Sequence, residues 1–304
     1  MRIHVLGGLF VERDGRVLSG AAAQPRRLAV LALLARSGQR GLTREKLLGF
    51  LWADQEEERG RRALTQALYA LRQELGSEDT ITGAKDLRLN PDLVTMDVAE
   101  FSAALAEGRV EEAVQHYQGA FLDGFHLSGA EEFERWVDQE RQALAQEYSE
   151  ALRQLAVRSG ERGESDSAVR WWKRLAAHDP LDSRTSLALM RALEAAGDRA
   201  GALQHARIHE LLLQEHLDLP PDRDVAALAA EIRGRQERGE AAPASPPPAQ
   251  AGTAAPAPRP SAQAPREPAA GSAAPTAAPV PASGAPPAQV PAPVPARVPE
   301  PARG

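Results

Sequence analysis

The stretch "LTREKLLGFLWADQEEERGRRALTQALYALRQELG", residues 42–76, holds two amphipathic runs separated by a short acidic break. In the second run Leu64, Leu68, Leu71 and Leu75 recur at helical spacing and form one narrow apolar stripe that must face a core. On the opposite side Arg62, Gln66, Tyr69 and Gln73 cluster within about 60° of one another, with Thr65 and Arg72 on the shoulders and Arg61 nearer the stripe. No acid joins that face until Glu74. A solvated helix face usually mixes Glu with Lys in i,i+4 pairs. This one offers Arg, Gln, Thr and Tyr, the side chains that contact phosphates and base edges. An ordinary polar face can have the same composition, so the flanking elements decide between the two readings.

Upstream, "IHVL" at 3–6 and "LFVER" at 9–13, followed by an Asp-Gly turn and "RVL", predict a small antiparallel sheet. Pro25 opens a helical run that Gly38 closes. Thr43 caps the next helix, with Lys46 rather than Glu three positions on, so the capping box is only half made. Downstream, "TIT" at 80–82 and "LRL" at 87–89 flank "GAKD", the pattern of a β-hairpin with Lys85 at its tip and Arg88 on its return strand. Strands, three helices and a terminal hairpin predict an α+β winged helix-turn-helix over residues 1–96. Its third helix would enter the major groove, and the hairpin would reach the flanking backbone.

Charge divides along the chain in the same way. Residues 1–96 carry 15 Lys plus Arg against 12 Asp plus Glu (+3), residues 97–239 carry 17 against 27 (−10), and residues 240–304 carry 4 against 3 (+1), which sum to the net −6. A mildly basic head on an acidic body fits a DNA-reading module joined to a protein-contacting one, although +3 supports only weak phosphate affinity. The absence of cysteine excludes a disulfide framework, a thiol nucleophile and Cys-based zinc or iron–sulfur sites. The N-terminus is too quickly interrupted by charge for a signal peptide, and no stretch approaches the ~18 uninterrupted apolar residues of a membrane span. A cytoplasmic protein without membrane contact is expected.

Beyond residue 97 the pattern Gly, four residues, Ala, then Val or Leu occurs as "GRVEEAV" at 108, "GESDSAV" at 163 and "GDRAGAL" at 197. The last two starts lie 34 residues apart, the tetratricopeptide period; the first two lie 55 apart, with a long charged amphipathic run between them. Each instance should begin the second helix of a pair, with Gly ending the preceding helix and the small Ala allowing close approach. An irregular, all-α, tetratricopeptide-like domain is expected over 97–239. Residues 240–304 hold 19 of the 24 prolines in an Ala-rich background without an aromatic residue. Such a composition cannot bury a core and predicts a disordered Pro/Ala-rich tail.

Residues 1–236 resemble the SARP-type bacterial transcriptional regulators, in which an OmpR-like winged helix precedes a bacterial transcriptional activation domain. The matches are "LTREKLLGFLW" and "LYALRQELG" in the head, then "MDVAEF", "HYQGAFLDGF", "ERWVDQERQAL" and "DPLDSRTSLALMRALEAAGDRAGAL" in the body. The resemblance implies a non-enzymatic activator that binds double-stranded promoter DNA as a homodimer on direct repeats and recruits RNA polymerase. Carried over by position, Arg59 to Gly76 becomes the recognition helix, with Arg62, Thr65, Gln66, Tyr69 and Arg72 as its reading residues. Arg40, Thr43 and Arg44 at the entry to the second helix become backbone contacts, joined by Lys85 and Arg88 of the wing. The chain departs from the family with Asp86-Leu87 in the wing, Ala206 for a usual Tyr and Asp218 for a usual Gly. The alternative is a tetratricopeptide-like interaction scaffold whose winged helix no longer binds DNA.

Other residue patterns point to no chemistry. His205, His209 and His216 share one helix face, but "HELLLQEH" lacks the zinc-protease spacing, and no metal or cofactor is expected. No Ser sits in a Gly-x-Ser-x-Gly elbow. Trp52 and Trp136 read as packing residues, whereas the adjacent Trp171 and Trp172 cannot both face one core.

Overall fold

The structure is a computed structural model that describes residues 1–19 and 23–240, and the tail beyond Glu240 lies outside the described residues. The chain opens with β1 (Arg2–His4), β2 (Phe10–Arg13) and β3 (Arg16–Val17). β1 and β2 pair antiparallel, with Ile3 opposite Val11, and β2 pairs antiparallel with β3. α1 (Pro25–Ser37) carries seven consecutive buried residues, Ala29 to Ala35, so it is the central helix of the head rather than a surface one.

β4 (Leu42–Thr43) leads into α2 (Arg44–Leu51), which Thr43 caps by accepting a hydrogen bond from the Lys46 amide at 3.1 Å. α3 (Glu57–Leu75) begins two residues before the predicted start. Glu57 and Glu58 therefore fall inside its first turn, where their charge suits the positive end of the helix dipole. Leu64, Leu68, Leu71 and Leu75 are all buried, as their spacing predicts, and Gly76 closes the helix at φ 81°.

The wing is β5 (Ile81–Thr82) and β6 (Asp86–Leu89), and β6 also pairs with β4, placing Thr43 opposite Asp86. Gly83 makes this turn possible: its φ is +96°, and a Cβ there would stand 1.9 Å from the Asp86 carbonyl oxygen. Leu87, in the stretch that departs from the family pattern, is fully buried. β7 (Thr95–Met96) returns to pair parallel with β1, giving the sheet order β3-β2-β1-β7.

Among the described residues seven helices follow: α4 (Asp97–Ala106), α5 (Val110–His116), α6 (Glu131–Glu161), α7 (Ser165–His178), α8 (Ser183–Ala195), α9 (Arg199–Leu217) and α10 (Arg223–Glu240). Gly108, Gly163 and Gly197 end α4, α6 and α8 with positive φ. The alanines five positions later, Ala113, Ala168 and Ala202, are buried where paired helices meet. The 55-residue gap in the repeat is filled by the loop after α5 and the 31 residues of α6.

One continuous apolar core runs from the first sheet through α1 and α3 into Phe101, Phe121, Phe133 and Leu144 of the body, while a second core is built by α8, α9 and α10. Asp97 fastens the junction: its buried carboxylate accepts from the amides of Val5, Leu6 and Val98 at 2.7–3.1 Å. Burial raises its pKa despite those three donors. The two adjacent tryptophans, each half-buried, do not divide between cores as the helical spacing predicts. Both touch the first core, and Trp172 also packs on the second. Asp218 ends α9 at φ 51°, a left-handed position that glycine takes more readily.

Candidate nucleic-acid interface

The exposed side of α3 presents Arg62, Thr65, Gln66, Tyr69 and Gln73. Tyr69 is 64% exposed, although burying its ring would be favourable. Arg62, Gln66 and Tyr69 have no side-chain hydrogen bond or ion pair among the described residues, so their polar groups are available to a ligand. Thr65 donates its hydroxyl to the Arg61 carbonyl one turn back, at 2.9 Å. Arg61 itself is turned toward Glu57, its i−4 neighbour, and lies within 3.8 Å of Glu58.

Arg72 is placed differently from the other members of the predicted face. Its Nε and Nη2 donate to the Ile81 carbonyl at 3.2 and 2.9 Å, clamping the first wing strand to the end of α3. Arg44 has a comparable role at the other end of the wing. Its Nε donates to the Ala84 carbonyl at 3.0 Å, and its amide donates to the Lys85 carbonyl at 3.3 Å. These contacts join segments about forty positions apart and hold the hairpin against the entry of α2. Lys85 at the wing tip and Arg88 on the return strand remain exposed, as does Arg40 before β4.

The predicted residues thus fall into two groups. Arg40, Arg62, Gln66, Tyr69, Lys85 and Arg88 point into solvent, whereas Thr43, Arg44, Thr65 and Arg72 spend hydrogen-bonding groups on the protein itself. Sequence reasoning missed Arg59, an exposed cation in the first turn of α3, because the helix was expected to begin there rather than at Glu57. It also missed Arg13, whose Nη2 donates to the Glu74 carbonyl at 3.0 Å near the C-terminal end of α3. Nothing in the sequence links positions 13 and 74.

No set of three or more His, Asp or Glu able to hold a metal occurs among the described residues. α9 runs unbroken through His205, His209 and His216, but the three do not converge. His209 is 1% exposed and bridges the Pro180 carbonyl and Ser183 Oγ, His205 meets Ser186 Oγ at 3.0 Å, and His216 is exposed. Tyr117, stacked on Tyr148 at 4.1 Å, is pushed up to about 12 by burial and then by Tyr148. Among the described residues, no helix is long and apolar enough to cross a membrane.

Residues 94–233 match the family model described as the bacterial transcriptional activator domain. The solved structure of Mycobacterium tuberculosis EmbR in complex with low affinity phosphopeptide is similar, with a TM-score of 0.54 and 23% sequence identity over 77% of this chain. The match covers 65% of that structure's chain, so this protein spans less than two thirds of its length, and at this identity the likeness is one of fold. No curated protein matches the chain. Residues 94–233 thus match the bacterial transcriptional activator domain, and a winged helix-turn-helix head stands in front of that domain.

Proposed function

We propose that the protein is a sequence-specific activator in which residues 1–96 read promoter DNA and residues 97–239 contact RNA polymerase or a second protomer. The observation that carries this reading is the unpaired Arg62, Gln66 and Tyr69 face of α3. Arg61, by contrast, is held by Glu57 one turn back on the same helix. Arg62 and Gln66 have the donor geometry for guanine and adenine edges in the major groove, and Tyr69 can take a phosphate or a thymine methyl. Arg40, Lys85 and Arg88 would add backbone contacts on either side, with the wing held in place by Arg44 and Arg72. A homodimer on direct repeats would double the phosphate contacts of a head whose own charge is only +3.

The test is fluorescence anisotropy of the full chain against pooled promoter fragments over a salt series. A regulator should bind a preferred sequence, weaken steeply with salt, and lose about 5- to 150-fold in affinity on Arg62→Ala, the ~1–3 kcal/mol of one base contact. Absence of binding at low salt by folded protein would reject the DNA-reading proposal and favour the interaction scaffold.

A further inference from the structure

Between head and body lies a cavity of about 450 Å³ whose walls come from α1, α2 and α6. Leu33, Phe50 and Trp136 give it an apolar, aromatic lining, with the Phe50 and Trp136 rings 5.9 Å apart and tilted by 52°. Gly49 of α2 also faces this space, and a Cβ built there would meet nothing within 4 Å. Size and lining both match sites that take small organic molecules, which are mostly apolar with a few polar groups.

The charges at the rim narrow the chemistry further. Arg36 and Glu140 neutralise each other across the seam, Nε to Oε2 at 2.5 Å, and Glu132 is paired with Arg135 on its own helix. Lys46 has no acidic partner among the described residues, which leaves one uncompensated cation beside an aromatic wall. We propose that this cavity is a binding site for a small aromatic mono-anion, its ring against Trp136 and its acidic group toward Lys46. Such an occupant would touch both the helix that precedes α3 and the longest helix of the body. Any effect on promoter affinity rests on the DNA-reading proposal; the binding itself does not.

The test titrates the full chain, without DNA, with 8-anilinonaphthalene-1-sulfonate, an aromatic anion of suitable size, and reads its fluorescence. Saturable one-to-one binding is expected. Gly49→Leu, which fills the open space, should weaken it at least about tenfold with the circular-dichroism melt retained. Lys46→Glu, a change at an exposed position, should abolish binding even if the first variant folds poorly, and the neutral N-phenyl-1-naphthylamine should bind more weakly than the sulfonate. Non-saturable fluorescence, or binding that survives Lys46→Glu unchanged, would overturn the proposal. With no DNA present, either result leaves the anisotropy experiment to judge promoter binding separately.

Discussion

Replacing Arg72 by Ala separates two roles that the helical wheel cannot distinguish. The guanidinium gives two donors to a single acceptor, the Ile81 carbonyl, at 3.2 and 2.9 Å, so the pair counts as roughly one charge-assisted bond of about 1.5–3 kcal/mol. Arg72 is half-buried, and water can replace part of that bond, which brings the expected loss to about 1–2 kcal/mol. For a folded unit of this size that corresponds to a fall in Tm of roughly 2–8 °C, read by circular dichroism. The same variant is then titrated with its promoter fragment from about 50 to 200 mM salt. If Arg72 clamps the wing, affinity falls through displacement of Lys85 and Arg88, and binding should recover when Arg72→Lys restores a donor to Ile81. If Arg72 contacts a phosphate, Tm should hold and the slope of log K against log salt should shrink by about 0.9. An unchanged Tm together with that smaller slope would refute the clamp.

Gly83→Ala should disrupt the wing: the added Cβ would lie 1.9 Å from a backbone oxygen at φ +96°, and a loss of more than about 2 kcal/mol in chemical denaturation is expected. Asp97→Ala leaves the buried amides of Val5, Leu6 and Val98 without their acceptor and should cost about 3–5 kcal/mol in the same assay; an effect below about 1 kcal/mol would show that the junction does not depend on it. Stability should also fall on mild acidification. Burial is the leading cause that holds His178 and His205 below the usual histidine value of 6.5, so the unfolded chain takes up their protons first as pH drops through that value. Their contribution is present above about pH 6.5 and is lost progressively below it, so Tm should be lower at pH 5.5 than at 7.5, and the difference should shrink in His205→Gln. A Tm that is flat or rising toward pH 5.5 would contradict this.

Much of the fold was legible locally. A leucine every three or four positions makes an amphipathic helix wherever it occurs, Thr43 caps by reaching its own neighbours, and the Gly-to-Ala spacing marks each helix pair because a chain break and a close approach are short-range events. The polar face of α3 was legible for the same reason. What each of its cations does was not, because Arg62 and Arg72 differ only in what lies across from them. Arg72 meets Ile81 because the wing folds back along α3, and Arg44 meets Ala84 because β4 pairs with β6 forty residues on. The junction at Asp97 and the cavity beside Trp136 likewise join residues some 90 to 100 positions apart. Such pairings are long-range: the core that head and body share brings their partners together, and no pattern within a helical turn or a strand records them.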